Sequence, residues 1–177
     1  MFAAEYADRV GHAELPEGPE NNVVAMIEHL RDATGSERVA AIRSDLQATM
    51  DLNAQVYRTE GSLKQALGDI EVLRQRYANV SVQDKGRRFN TDLLEGIELG
   101  FLLDLAEVLV VSALAREESR GGHFREDHPN RDDVNFMRHT MAYREQSTDS
   151  AGEVSYTVRL DYKPVAQTRY RPMERKY

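Results

Sequence analysis

Phe-Leu-Leu-Asp-Leu-Ala-Glu-Val-Leu-Val-Val-Ser-Ala-Leu, residues 101–114, is apolar on nearly all sides when wound as an α-helix. A surface helix shows a polar stripe, so a segment like this belongs at the centre of a helical bundle. Asn90 or Thr91 can open the helix, and the pattern runs on to about Ser119, on the order of seven to eight turns. The longest apolar run, Leu99 to Leu114, is shorter than a bilayer span and carries Asp104 and Glu107, which argues against membrane insertion.

Upstream, the apolar residues recur every three or four positions. The spacing predicts a helix over about 20–33 with Val23, Val24, Ile27 and Leu30 on one face, ending at Gly35. Ser36 can cap a second helix bearing Val39, Ile42, Leu46, Met50 and Asn53. Thr59 or Ser62 can cap a third bearing Leu63, Leu67, Ile70, Leu73 and Tyr77. Short linkers favour antiparallel neighbours. Residues 2–10, with Ala3, Tyr6, Ala7 and Val10 on one face and Gly11 as a stop, read as the end of a helix without its start. Pro16, Gly18 and Pro19 make residues 12–19 a connector.

Downstream the period drops to two. Met137, His139, Met141 and Tyr143 alternate with polar residues, as do Val154, Tyr156, Val158, Leu160 and Tyr162, on either side of the polar segment 146–152. This predicts a β-hairpin whose apolar face lies on the bundle or on other protein, with His139 as a core histidine on that face. The expected fold is mainly α: an antiparallel helical bundle, a charged loop, then a C-terminal β-hairpin with an extended tail. The organisation is 1–19 as a helix remnant and linker, 20–133 as bundle with loop, and 134–177 as hairpin and tail.

With 41% hydrophobic and 30% charged residues over 177 positions, the chain has the composition of a one-domain globular protein. A net charge of −7 disfavours non-specific nucleic-acid binding, and the basic stretch 169–176 is too short to reverse that. The chain has no cysteine, hence no disulfide, thiolate nucleophile or thiolate-bound metal, which fits a reducing compartment. The first ten residues have neither the basic region nor the apolar core of a secretory signal. The glycines never fall in a G-x-G-x-x-G or P-loop order, and there is no G-x-S-x-G or H-E-x-x-H. No catalytic or cofactor-binding residue is assigned.

The charged segment 117–133, Glu-Glu-Ser-Arg-Gly-Gly-His-Phe-Arg-Glu-Asp-His-Pro-Asn-Arg-Asp-Asp, carries the functional question. His123 and His128 with Glu126, Asp127, Asp132 and Asp133 have the ligand types of a zinc or iron site. Their spacing matches no recurrent motif, however, and Arg125 and Arg131 set cations among the ligands. Arg120-Gly121-Gly122-His123 offers backbone N–H groups and a guanidinium fork to an anion. Two further roles stay open: the arginines lock the loop by pairing with its own carboxylates, or the loop is an interface. The candidate residues for either are Arg120, His123, Arg125, Asp127, Arg131 and Asp132. Asp104 and Glu107, one turn apart, share a helical face that suits an Arg or Lys from a neighbouring helix better than a di-metal site.

Asp-Lys-Gly-Arg-Arg-Phe-Asn-Thr-Asp-Leu-Leu-Glu-Gly-Ile-Glu-Leu-Gly (84–100), Ala-Arg-Glu-Glu-Ser-Arg-Gly-Gly-His-Phe-Arg-Glu-Asp-His-Pro-Asn-Arg-Asp-Asp (115–133) and Val-Asn-Phe-Met-Arg-His-Thr-Met-Ala-Tyr (134–143) resemble the C-terminal region of the succinate dehydrogenase/fumarate reductase flavoprotein subunit. The likeness extends to Arg58-Thr-Glu-Gly-Ser-Leu63, and the ending, 162–177, looks like the actinobacterial branch. The resemblance implies a much longer subunit with a preceding FAD domain, of which residues 2–10 would be the trailing helix. It implies oxidation of succinate to fumarate on FAD, with electrons passed to an iron–sulfur subunit. It also implies a cytoplasmic location, with the parent complex at the cytoplasmic face of the membrane. The family's catalytic residues precede the matched region, so this chain is expected to have a structural and docking role, without activity or bound FAD alone. The alternative is a stand-alone interaction module built on the same bundle.

Overall fold

The computed structural model describes residues 2–11, 14–148, 154–169 and 173. Its elements are α1 (Phe2–Arg9), α2 (Asn21–Asp32), β1 (Glu37–Arg38), α3 (Val39–Asn53), α4 (Glu60–Ala78), β2 (Val80–Ser81), α5 (Thr91–Ala115), β3 (Arg138–Thr148) and β4 (Val154–Pro164). The fold is mainly α with a C-terminal antiparallel hairpin, as the periodicities predict.

Helices α3, α4 and α5 form the bundle. Val39, Ile42 and Leu46 of α3, Leu63, Ala66, Ile70 and Leu73 of α4, and Leu99, Leu103, Ala106, Val110 and Ala113 of α5 make one buried cluster. Chain direction alternates. The C-terminal end of α4 meets the start of α3, where Arg76 pairs with Asp45 at 2.6 Å. It also meets the start of α5, where the Tyr77 hydroxyl donates to the Gly96 carbonyl at 2.9 Å. Gly96 is needed for a second reason: a Cβ there would sit 3.1 Å from Leu30, so the glycine lets α2 settle against α5.

The caps follow sequence in two helices and depart from it in one. Thr59 and Ser62 form a reciprocal capping box on α4, and the Asn90 side chain accepts from Leu93 N–H on α5. Ser36 does not cap α3. Its hydroxyl accepts from the Asn79 amide, because residues 37–38 are drawn into a short parallel pairing with 80–81 and α3 starts only after the extended Arg38. That two-residue pairing has no periodicity to announce it.

Burial also corrects the expected stripes. In α2 only Leu30 is buried, while Val23 and Val24 are exposed. Helix α5 is central, yet it buries one face only: Leu99 and Leu103 are 0% exposed, whereas Phe101 and Leu105 are 54% and 63% exposed. It also stops at Ala115, short of Ser119, because Arg116 turns extended. Asp104 and Glu107 do meet a cation from a neighbouring helix: Arg74 of α4 reaches them at 2.7 and 2.6 Å.

The hairpin forms where alternation places it, but its register separates the two apolar faces. Ala142 pairs with Leu160 and Arg144 with Val158, while Met141 opposes Asp161 and Tyr143 opposes Arg159. Directly opposed residues share a face. Val158 and Leu160 therefore lie beside Thr140 and Ala142 on the half-buried side, and His139, Met141 and Tyr143 fall on the exposed one. His139 is thus a surface histidine and not a core one. Arg144 pins the sheet to α5 through Asp104 at 2.9 Å. On that same face, Arg138 lies over Tyr162 and Arg144 over Tyr156, at 3.5 and 3.8 Å from the ring centres.

Leu103→Ala should cost about 2–5 kcal/mol in urea unfolding, because the side chain is enclosed. Leu105→Ala should cost less than about 1 kcal/mol, since little burial is lost. Equal losses would mean that α5 is enclosed on both faces in solution.

Candidate functional site

Three helix termini meet at one end of the bundle, and the charged loop sits on them. An α-helix leaves its last carbonyls and first N–H groups unpaired, with partial negative charge at the C-terminus and partial positive charge at the N-terminus. Here the C-termini of α3 and α5 flank the N-terminus of α4. Each receives the charge that it requires.

Arg125 closes α5. Its Nη1 donates to the Ala113 and Leu114 carbonyls at 3.2 and 3.1 Å, and its Nε and Nη2 form a fork on Asp127 at 2.7 and 2.8 Å. The side chain is 1% exposed. Asp127 in turn accepts from the Glu60 backbone N–H, in the first turn of α4, at 2.7 Å. Hydrogen bonds from Arg125 hold the Asp127 carboxyl well below the usual carboxylate range, outweighing burial. Arg58 closes α3, donating from Nε to the Ala54 and Gln55 carbonyls at 2.8 and 2.6 Å.

His123 joins these ends. Arg58 Nη1 lies 2.9 Å from His123 Nδ1, and His123 Nε2 lies 3.1 Å from the Arg116 carbonyl. Arginine can only donate, so Nδ1 accepts and Nε2 carries the proton. Burial pushes the imidazole pKa down; the Arg116 carbonyl partly opposes this, and the charges of Arg58, Arg116 and Arg125 add to the lowering. Both ring nitrogens are committed. No group of three or more His, Asp or Glu among the described residues is arranged to hold a metal.

Glu118 is the second centre. It is 0% exposed and accepts from Arg116 Nη1 at 2.5 Å, Arg120 Nε at 2.8 Å, Arg120 Nη2 at 3.0 Å and the Asp132 N–H at 2.8 Å. Burial would raise its pKa, but the bonds from Arg120, Asp132 and Arg116 win and hold it below its ordinary value. Arg116 also donates to the Phe136 and Arg138 carbonyls at 2.9 and 2.8 Å, which ties the loop to the hairpin.

The periphery is more open. Arg131 and Arg120 both pair with Asp133, whose carboxyl they hold at about 2, and Arg131 reaches the Met173 carbonyl at 2.9 Å. Asp132 caps the turn that follows, accepting from the Val134 and Asn135 N–H groups. Gly121, at φ 60°, allows the tight Arg120–His123 turn.

The candidate residues therefore fall into two linked clusters. Arg125, Asp127 and His123 bind the helix ends, while Arg120, Arg131 and Asp132 surround Glu118 and Asp133. Sequence reasoning placed Glu118 among several pairing carboxylates and did not single out its full burial. It also missed Arg116 and Arg58 as members of the site. Arg58 lies far away in sequence, and only its place in the Arg58–Leu63 likeness signalled it.

Residues 43–177 match the family described as fumarate reductase flavoprotein C-term. The fumarate reductase flavoprotein subunit of Mycobacterium tuberculosis is 41% identical over 99% of this chain and 30% of its own length. The succinate dehydrogenase flavoprotein subunit of Rickettsia conorii is 41% identical over 89% of this chain and 25% of its own length. Among solved structures, the quinol fumarate reductase of Escherichia coli superposes with a TM-score of 0.82 at 35% identity, over 98% of this chain and 29% of that one. The chain belongs to the succinate dehydrogenase/fumarate reductase flavoprotein family, and spans about 30% of the M. tuberculosis relative's length.

Removing Arg125 strands Asp127 and the α5 carbonyls together. Arg125→Ala should cost about 3–5 kcal/mol by chemical denaturation, against less than about 1 kcal/mol for the more open Arg131→Ala.

The folded His123 ionises below its ordinary value of 6.5, so its contribution is complete above that value and is lost as pH falls from there toward the folded pKa. Urea stability should therefore fall from about pH 7 to about pH 5, and fall less in His123→Gln, which accepts a hydrogen bond but does not titrate.

Proposed function

We propose that this chain serves as the C-terminal structural and docking unit of a flavoprotein that interconverts succinate and fumarate. The supporting observation is the family match over residues 43–177, which includes the whole charged loop. In this reading the reaction itself belongs to the preceding polypeptide. There FAD accepts the hydride of succinate, and an iron–sulfur subunit takes the electrons onward.

The residues present do not fit FAD. Its pyrophosphate calls for a glycine-rich turn between a strand and a helix N-terminus. Among the described residues the parallel strands β1 and β2 are two residues each, and no such turn follows them. No catalytic step is therefore assigned to a side chain of this chain. Its residues hold the end of the bundle rigid and present the outer loop charges, Arg131 and Asp133, to the FAD domain or the iron–sulfur subunit. In this reading the unit is carried at the cytoplasmic face of the membrane by its partners; no helix among the described residues is long and apolar enough to cross a membrane.

The purified chain should be colourless after dialysis and should not reduce a dye in the presence of succinate. A chimera in which this chain replaces the C-terminal part of the M. tuberculosis relative should regain succinate-dependent dye reduction. Arg131→Ala in that chimera should weaken its assembly with the iron–sulfur subunit. Stoichiometric flavin on the isolated chain, or a chimera that folds and binds flavin but assembles equally well with Arg131→Ala, would overturn this reading.

A further inference from the structure

Among the arginines that meet at the charged loop, Arg58 is the odd member. Arg116, Arg120, Arg125 and Arg131 each pair with a carboxylate. Arg58 has no such partner among the described residues. Its guanidinium donates to the Ala54 and Gln55 carbonyls and to His123 Nδ1. A partly buried cation supported only by neutral acceptors depends on each of them remaining an acceptor. Two of these are carbonyls and do not titrate. The third is an imidazole.

Protonating His123 turns Nδ1 into a donor and sets it 2.9 Å from the donor nitrogen of Arg58. The charges that act most on the ring are cations from three elements: Arg58 between α3 and α4, Arg116 at the end of α5, and Arg125 in the loop. The nearby carboxylates are engaged elsewhere. Glu118 accepts from Arg116 and Arg120, Asp127 from Arg125 and the Glu60 N–H, and Glu60 from Lys64, while Glu117 acts on Arg125. Neither ring nitrogen of His123 meets a carboxylate.

The same place joins two segments. The Glu126 N–H donates to the Arg58 carbonyl at 2.8 Å, and the Tyr57 and Phe124 rings meet edge to face at 5.9 Å. A second seam, through Arg125 and Asp127, closes α5 and α4. It holds no group that titrates in mild acid, since arginine keeps its proton and the Asp127 carboxyl is held well below the usual carboxylate range by Arg125. One seam is sensitive to protons and its neighbour is not.

We propose that His123 is a proton-sensitive latch. Neutral, it holds residues 55–58, between α3 and α4, onto the charged loop; protonated, it lets that segment detach while the Arg125–Asp127 cap stays closed. The opening is local, needs no partner, and precedes the loss of the whole fold.

Two amides report the two seams separately in hydrogen exchange on the full chain at pH 7.5 and pH 5.5, each rate taken relative to the unstructured peptide at the same pH. Protection of the Glu126 N–H should fall about threefold or more, since an opening that takes up one proton grows by at most about tenfold per pH unit. The Glu60 N–H, held by Asp127, should keep its protection, and helicity by circular dichroism should not change. In His123→Gln the protection of Glu126 should be the same at both pH values. A second readout needs no variant: the loss at Glu126 should begin near 6.5 and level off at the pKa read from the His123 ring by NMR. Equal loss at Glu60 and Glu126 would mean that the whole end of the bundle opens, and overturns the proposal. So would unchanged protection of Glu126, or a pH dependence that survives in His123→Gln.

Discussion

The fork between Arg125 and Asp127 ties together two helix ends whose carbonyls and N–H groups would otherwise lack partners. Its guanidinium takes the last carbonyls of α5, and its carboxylate takes the first-turn N–H of α4. A cation at a helix C-terminus and an anion at an N-terminus are each stabilised by about 0.3–1 kcal/mol, more when partly buried. Here one ion pair meets both requirements, and Arg58 supplies the cation just past the C-terminal end of α3. Arg125 is buried, which would be costly alone, but its Nε, Nη1 and Nη2 all donate to acceptors. The loop is therefore a cap for the bundle, and its charge density follows from the termini beneath it.

That role explains why the loop reads so suggestively in sequence. Histidines and carboxylates at short intervals invite a metal, yet His123 uses one nitrogen on Arg58 and the other on the Arg116 carbonyl. Glu118 is enclosed by two arginines and a backbone N–H. At the rim, Arg131 and Asp133 pair with each other and are more exposed than Arg125 and Glu118 beneath them.

Helix α5 presents a related division around its circumference. A helix apolar on all sides is normally enclosed, and this one leaves Leu94, Phe101, Leu105 and Leu109 exposed.

The sequence by itself determined the helices, the hairpin and the family. Apolar spacing, capping residues such as Thr59 and Asn90, and a long ordered run of charges are local signals, and local signals survive without coordinates. It also indicated that Asp104 and Glu107 would meet a cation on a neighbouring helix, because a shared face follows from spacing alone. What the tertiary structure decided was partnership and depth. Leu103 and Leu105 are the same residue type two positions apart, and only the placement of α3 and α4 makes one core and the other surface. The hairpin register, set by how two strands align, moved His139 from the expected inner face to the outer one. The loop's arginines were legible as a group, but which one is buried depends on where three helix termini converge. That convergence joins Arg58 to His123 across 65 positions, a contact with no local signature.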